Sequence, residues 1–448
     1  MATKVNIIKL GCPKNDLDAE TLSAQLQASG FELTKRKDKA EILIINTCGF
    51  IEQAKRESIE TILELSSFKN GKDDKKIVVT GCLTQRYNSE LWKLMPEIDG
   101  FLGLNELDKV AKVCVEVKKG NRISFISPLS EEYREQIERE IPQTFPYAYL
   151  KIADGCDNFC AYCSIPLIRG KYRSRRMKFI FEEAKSLAQK GVKEINLIAQ
   201  DSTLYGQDIY GEKKLPELLS SLSQIEGIKW IRLLYTHPAH YTEKLIQEIA
   251  TNEKICKYLD LPLQHISDKL LFLMGRKIER KGIERLIKTL RTEIPDLVLR
   301  TTFIVGFPGE GKEEFKELLK FVEKERFDRL GAFTYSKEEG TEAFNFREHL
   351  SLKEKEKRLD KLMSLQQKIA FEKNEKRVGE KVKVLIESKA DSSEFGYIAG
   401  KTGYYIARSQ KEAPEIDGVI LMKGKNLKIG DLIEVKITEW KGYDLVGE

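Results

Sequence analysis

Asp154-Gly155-Cys156-Asp157-Asn158-Phe159-Cys160-Ala161-Tyr162-Cys163 sets three thiols at the spacing Cys-x-x-x-Cys-x-x-Cys. Thiolates this close can hold a metal, yet three of them leave a zinc sphere unfinished, since structural zinc sites close with four Cys or His ligands. No fourth Cys or His lies nearby in the sequence. An iron–sulfur cluster held by three cysteines keeps one iron open to another ligand. The spacing therefore favours a cluster over an incomplete zinc knuckle or a chance grouping.

The rest of the chain sets bounds on that reading. Its 448 residues correspond to about three domains of ordinary size. A charged fraction of 33% and a mean hydropathy of −0.39 describe a soluble chain. No apolar run is long enough to span a bilayer. Met1 to Leu10 lacks the charged-then-apolar plan of a signal peptide, so a cytoplasmic location is expected. Eight cysteines in so long a chain are not a disulfide framework; clustered cysteines in a reducing compartment read as ligands or catalysts. The net charge of +6 permits an RNA partner without arguing for one.

Three further cysteines share one local pattern. Val5 to Leu10 leads to Gly11-Cys12, Glu41 to Ile45 leads to Asn46-Thr47-Cys48, and Lys76 to Thr80 leads to Gly81-Cys82. Each apolar segment reads as a strand. Asp18 to Ser29 and Ile51 to Ser67 have the apolar spacing of helices. Alternation of strand and helix predicts a parallel sheet. Ligands of such sheets bind outside the carboxyl ends of the strands, where all three cysteines would sit. Gly11, Gly49 and Gly81 would admit close backbone approach. The pattern fits either a second cluster or three buried core thiols. Cys114 and Cys256 read as core positions.

From about Tyr147 strands and helices alternate again. Strands are expected at Glu194 to Ala199, Trp230 to Tyr235, Tyr258 to Leu261, Val298 to Val305 and Arg329 to Thr334. That pattern fits an open (β/α) barrel with its chemistry at the strand carboxyl ends. Gln200 and Asp201 end one strand, and Gly306-Phe307-Pro308-Gly309-Glu310 ends another. His237, His240 and His349 read as hydrogen-bonded structural residues, while His265 is placed either in the structure or beside a substrate. Arg169, Arg173, Arg175 and Arg176 are expected on a solvated basic face. Ser351 to Asn374 places Leu352, Leu359, Leu362, Gln366 and Ile369 on one helical stripe. Short strands at Lys381 to Ile386, Tyr404 to Ala407, Val419 to Met422 and Leu432 to Thr438 predict a small five-stranded barrel of OB-like type. Its Lys/Arg and Asp/Glu nearly balance, which suits a protein partner better than RNA.

The triad Cys156, Cys160, Cys163, with an aromatic before its last member, resembles the radical S-adenosylmethionine (SAM) enzymes. With the three earlier cysteines and the tail barrel, nearly the whole chain resembles the methylthiotransferase family of radical SAM enzymes. That resemblance implies an α/β fold in three parts: an N-terminal parallel α/β domain (1–130), a central radical SAM partial (β/α) barrel (142–372), and a C-terminal small antiparallel TRAM barrel (376–448). It implies two [4Fe-4S] clusters, one on Cys12, Cys48 and Cys82 and one on Cys156, Cys160 and Cys163. It also implies SAM bound with help from Tyr162, Gln200, Gly306 and Pro308. No protein side chain is implied as a catalyst.

Within the family, four stretches resemble the branch that acts on a ribosomal protein. They are Gly11-Cys12-Pro13-Lys14-Asn15; Asn46-Thr47-Cys48-Gly49-Phe50-Ile51, with Ala54, Glu57 and Ser58; Leu261-Pro262-Leu263-Gln264-His265-Ile266-Ser267; and Ala413-Pro414-Glu415-Ile416-Asp417-Gly418. The implied reaction is methylthiolation of the β-carbon of an aspartate in protein twelve of the small ribosomal subunit. One SAM would serve as radical source and one as methyl donor. The free ribosomal protein or the assembled subunit, and an electron donor, are the implied partners of a monomeric enzyme with no membrane partner. Competing readings are a tRNA adenosine methylthiotransferase, a radical SAM enzyme that only methylates or only inserts sulfur, and a non-enzymatic iron–sulfur protein.

Overall fold

The computed structural model describes residues 2–70, 75–135, 139–140, 146–391, 393–398 and 403–448. The expected first residue of the central domain, Pro142, lies outside them. The chain divides into two compact units: 1–141 with 153–175 and 336–345, and 142–152 with 176–335 and 346–448.

The first unit is built on six parallel strands. Across the sheet they run Glu32–Leu33, Lys4–Lys9, Ile42–Thr47, Lys76–Gly81, Gly100–Leu102 and Ile123–Phe125. Three of these, the short second, fifth and sixth in chain order, lie beyond the expected strands. Every residue of Ile42–Thr47 is buried, as a parallel strand covered on both faces requires. Pro13 opens the helix Pro13–Ala28 at a position where its missing N–H costs nothing. That helix packs Leu22 and Leu26 against the sheet and also buries Leu17. The chain leaves Lys4–Lys9 toward one edge of the sheet first and the other edge next. A topological switch point therefore lies between Lys4–Lys9 and Ile42–Thr47.

The second unit holds six parallel strands in chain order: Tyr147–Lys151, Glu194–Ile198, Trp230–Leu233, Ile255–Asp260, Val298–Val305 and Arg329–Thr334. Helices including Met177–Gln189, Glu243–Thr251 and Lys312–Glu325 form the crossovers. A singly wound parallel sheet of this kind is the open (β/α) barrel expected. The helix Leu352–Lys376 lies along the Arg329–Thr334 strand. Ser351 caps it by accepting the Glu354 N–H. Of the expected stripe, Leu362, Gln366 and Ile369 are buried and Leu352 is exposed. The buried face also takes in Lys355 and Arg358, so that three of its polar members are Lys355, Arg358 and Gln366. These three reach loop groups: Lys355 Nζ donates to Tyr335 O at 2.9 Å, Arg358 to Glu310 Oε1 at 2.6 Å, and Gln366 to Phe327 O at 3.0 Å. Hydrophobic spacing alone misses a face whose work is hydrogen bonding.

The tail forms a closed five-stranded barrel of Lys381–Lys389, Tyr404–Arg408, Ile420–Lys423, Leu432–Lys441 and Asp444–Gly447. It is antiparallel except that Ile420–Lys423 and Asp444–Gly447 pair in parallel. Buried charges fix it against the parallel sheet. Glu194 opens its strand fully buried and takes Arg232 Nε at 2.7 Å and Arg408 Nη2 at 2.7 Å. Arg408 also pairs with Glu387. Burial raises the Glu194 carboxyl, but Arg408 and Arg232 outweigh it and hold the group below the usual range. Tyr258 donates to Asp417 at 2.7 Å and Tyr147 to Glu415 at 2.8 Å. The Ala413–Gly418 stretch thus serves docking between two parts of one unit.

Removing one member of a buried ion network leaves an uncompensated charge, at about 3–5 kcal/mol. Arg408→Met is expected to destabilise the chain by that order in urea unfolding, and Glu194→Gln on top should recover part of the loss. Unchanged midpoints in both variants would contradict this.

Candidate cluster sites on the cysteine edge

The switch point of the first sheet gathers the early cysteines. Cys12 precedes the helix Pro13–Ala28, Cys48 follows Ile42–Thr47, and Cys82 opens the helix Cys82–Leu94. Gly11 holds φ +96°, and a Cβ there would stand 3.0 Å from Cys48 Cβ and 3.3 Å from Cys48 Sγ. Gly81 holds φ +95° against the backbone of Thr47. Side chains lock these turns together. Asn15 Nδ2 donates to Leu10 O at 2.8 Å and Thr47 O at 3.1 Å, and Asn46 Nδ2 donates back to Asn15 O at 2.7 Å. Ser58 Oγ accepts Cys48 N–H at 3.0 Å and donates to Cys48 O at 3.0 Å. Burial pushes the Cys48 thiol up to about 12 and raises Cys82 as well, with the neighbouring cysteines adding to both. Thiols so placed are neutral alone, and a bound metal would favour their thiolates.

The second triad belongs to the same unit. A two-stranded ribbon, Ala153–Asp154 with Arg173–Ser174, closes the base of its loop. Cys156 N–H donates to Gly170 O at 3.1 Å, Cys163 N–H to Cys160 O at 2.9 Å, and Asn158 Nδ2 reaches Cys156 Sγ at 3.5 Å. Asp157 accepts Tyr172 N–H at 3.0 Å, and Ser164 Oγ donates to Phe50 O at 3.1 Å. Tyr162 is half-buried in the turn. Phe159, at φ 50° and 60% exposed, is strained and open to solvent.

Neither triad has the span of a single-ion site. Zn–S bonds near 2.3 Å place tetrahedral sulfurs about 3.8 Å apart. Among the described residues, only Asp201, His237 and His240 bring ligand atoms within 4.8 Å of one another. In neither cysteine triad do all three sulfurs lie within that distance of one another.

The arginines after the second triad depart from the expected solvated face. Arg169, Arg173 and Arg175 are buried; Arg176 alone of the four is exposed. Arg175 pairs with Glu135 at 3.1 Å, and Arg173 donates to Ser130 O at 2.7 Å and Arg169 O at 2.9 Å. Arg169 pairs with Asp18 at 2.8 Å and Asp154 at 3.1 Å. Asn15, Asp18 and Asp154 were not singled out from the sequence as site residues. Their one signal there is proximity to the two cysteine motifs.

In the other unit, the carboxyl ends of the parallel strands carry Gln200, Asp201, Gly306 and Pro308. Gln200 is half-buried, whereas Gly306 and Pro308 are buried. Gly306 holds φ +72° and donates its N–H to Glu310 Oε2 at 2.7 Å. Tyr235 and Gln264 also hold positive φ at strand ends on this edge. Asp201 accepts Thr203 N–H at 3.0 Å and meets His240 Nδ1 at 2.7 Å. His237 Nδ1 accepts Ala239 N–H at 3.3 Å. Burial, with Arg276, His240, Lys277 and Lys213 nearby, holds His237 well below its usual range. Both histidines are hydrogen-bonded, His240 to Asp201 and His237 to the Ala239 N–H. His265 is fully buried, accepts Ser267 N–H at 3.1 Å, and offers no surface to a substrate. Cys114 and Cys256 are core residues.

Comparison with known proteins places this architecture. Residues 4–103 match the Uncharacterized protein family UPF0004, 150–322 the Radical SAM superfamily, and 378–448 the TRAM domain. Among solved structures, the radical S-adenosylmethionine methyltransferase TsrM from Kitasatospora setae, with cobalamin and a [4Fe-4S] cluster bound, aligns at TM-score 0.54 and 16% identity. That alignment covers 75% of each chain, and a likeness this remote shows the fold alone. Three relatives carry the name ribosomal protein uS12 methylthiotransferase RimO. The one from Acetivibrio thermocellus is 49% identical over 100% of this chain and 98% of its own length. That from a Thermoanaerobacter species is 47% identical over 99% of each. That from Clostridium kluyveri is 48% identical over 99% of this chain and 97% of its own. With identity of this order sustained across all three parts of the molecule, the chain belongs to the RimO family of radical SAM methylthiotransferases.

Proposed function

We propose that this chain methylthiolates the β-carbon of an aspartate in small-subunit ribosomal protein uS12, with one SAM as radical source and another as methyl donor. The observation that carries the reading is the gathering of two cysteine triads in one compact unit of a chain from this family. Cys12, Cys48 and Cys82 are assigned to an auxiliary [4Fe-4S] cluster. Cys156, Cys160 and Cys163 are assigned to the cluster that binds SAM. A C–H bond without acidity or a leaving group gives acid–base catalysis nothing to act on, so the cofactor carries the chemistry and the protein orients it. Once bound, the clusters and SAM would supply one-electron cleavage of SAM, hydrogen abstraction from the aspartate, and the sulfur of the methylthio group.

The chain's own residues set the geometry around that chemistry. Asn15, Asn46 and Ser58 fix the turns that carry Cys12 and Cys48. Tyr162 is assigned to the SAM adenine. Gln200, with the Gly306–Pro308 turn, is assigned to the SAM-binding edge of the second sheet; there Glu310 and Arg358 hold the turn in shape. The nearly neutral tail barrel suits a protein substrate, either free or on the assembled subunit. An electron donor, a monomeric state, a cytoplasmic location and the domain limits 1–130, 142–372 and 376–448 complete the reading. No described helix is long and apolar enough to cross a membrane.

Mass spectrometry of ribosomal proteins and tRNA from cells with and without the gene tests the substrate. The methylthio mass should disappear from the ribosomal protein alone; its disappearance from tRNA nucleosides would transfer the reading to the tRNA branch. Cys82→Ser separates the two triads: it is expected to retain SAM cleavage by the reduced protein and to abolish methylthiolated product. Product from that variant would refute the auxiliary role.

A further inference from the structure

Arg169 connects the two triads. It ends the short helix Ile165–Arg169 that follows Cys163, and it is 2% exposed. Its Nη1 donates to Asp154 Oδ2 at 3.1 Å, at the base of the second triad's loop. Its Nη2 donates to Asp18 Oδ2 at 2.8 Å and Asn15 Oδ1 at 3.1 Å, both on the helix that follows Cys12. The same Nη2 stands 3.5 Å from Cys82 Sγ, within reach of an N–H···S hydrogen bond. Asn15 Oδ1 lies 3.8 Å from that sulfur.

The contacts are more specific than charge neutralisation requires. A buried guanidinium needs a carboxylate partner, and Asp18 and Asp154 together supply one more negative charge than it carries. The sulfur contact is additional. The planar fork holds Asp154 on Nη1, while the two N–H groups of Nη2 are shared among Asp18, Asn15 and Cys82. The sulfur is therefore met by a three-centre N–H whose direction the guanidinium fixes and a rotatable lysine ammonium does not. Hydrogen bonds to cluster sulfurs, and charge beside them, are the protein's levers on a cluster's potential. A cation and an N–H donor both favour the reduced, more negative state.

We propose that Arg169 is a positioning residue that, from the loop of the second triad, holds Cys82 Sγ of the first and raises the reduction potential of the cluster there. This rests on the reading that Cys12, Cys48 and Cys82 hold an iron–sulfur cluster. The role is distinct from SAM binding and from any proton transfer.

The test uses the full chain carrying Cys156→Ala, Cys160→Ala and Cys163→Ala, so that the remaining cluster signal belongs to the first triad. Arg169→Lys and Arg169→Met are added, and iron content, EPR-monitored potentiometry and apo-protein melting are measured. Both variants should shift the midpoint to more negative potential, Met further than Lys. Asp18→Asn, which removes a negative charge and leaves the donor, should shift it the other way. Loss of iron from Arg169→Lys with apo melting unchanged also supports the positioning role. An unchanged midpoint and EPR spectrum at equal iron content would overturn it. So would loss of cooperative apo melting in both variants, which would assign Arg169 to the fold alone. A parent protein without any cluster signal would refute the ligand assignment itself, and this inference with it.

Discussion

A parallel sheet places every strand's carboxyl end on one edge, and the first unit is organised around that constraint. Three cysteines distant in sequence each follow a strand directly, so chain direction alone brings them to the same side. The change of winding between Lys4–Lys9 and Ile42–Thr47 falls at Cys12 and Cys48, with Cys82 just past the end of the next strand, Lys76–Gly81. Glycines at positive φ before Cys12 and Cys82 allow the backbone to turn at once into a helix. The second triad reaches its place differently. Its cysteines are adjacent in sequence and are shaped by a tight loop over a two-stranded ribbon.

Buried charge does the joining in both units. In the first, one guanidinium links the elements that carry the two triads. In the second, Glu194, Arg232, Glu387 and Arg408 fix the tail barrel to the parallel sheet, with half-buried Arg377 adding a further pair to buried Glu412. Such networks add little net stability over an apolar contact, but they tolerate only one arrangement of donors and acceptors.

Much of this was legible from the residues. The strand Val298–Val305 and the strand Arg329–Thr334 fall where apolar patterning puts them, and the cysteine–strand pattern foretold the first sheet's working edge. Three short strands of that sheet were not legible, because segments such as Glu32–Leu33 are too brief to show a period. Charged residues were the larger failure. Arg169, Arg173 and Arg175 look like a solvated run, and Lys355 and Arg358 look like the outside of a helix. Their burial depends on partners far away in sequence, Asp18 for Arg169 and Glu310 for Arg358, which periodicity cannot reveal. The Ala413–Gly418 stretch shows the same limit: its acids face Tyr147 and Tyr258 of the neighbouring sheet.

The central claim is that two separate triads each hold an iron–sulfur cluster. Iron and sulfide analysis with Mössbauer spectroscopy on the anaerobically reconstituted full chain tests it most directly. The comparison is with one variant lacking Cys12, Cys48 and Cys82 and another lacking Cys156, Cys160 and Cys163. The account predicts that each variant keeps half of the iron, with the spectrum of a single [4Fe-4S] cluster. Full iron in either variant, or complete loss in both, would contradict it.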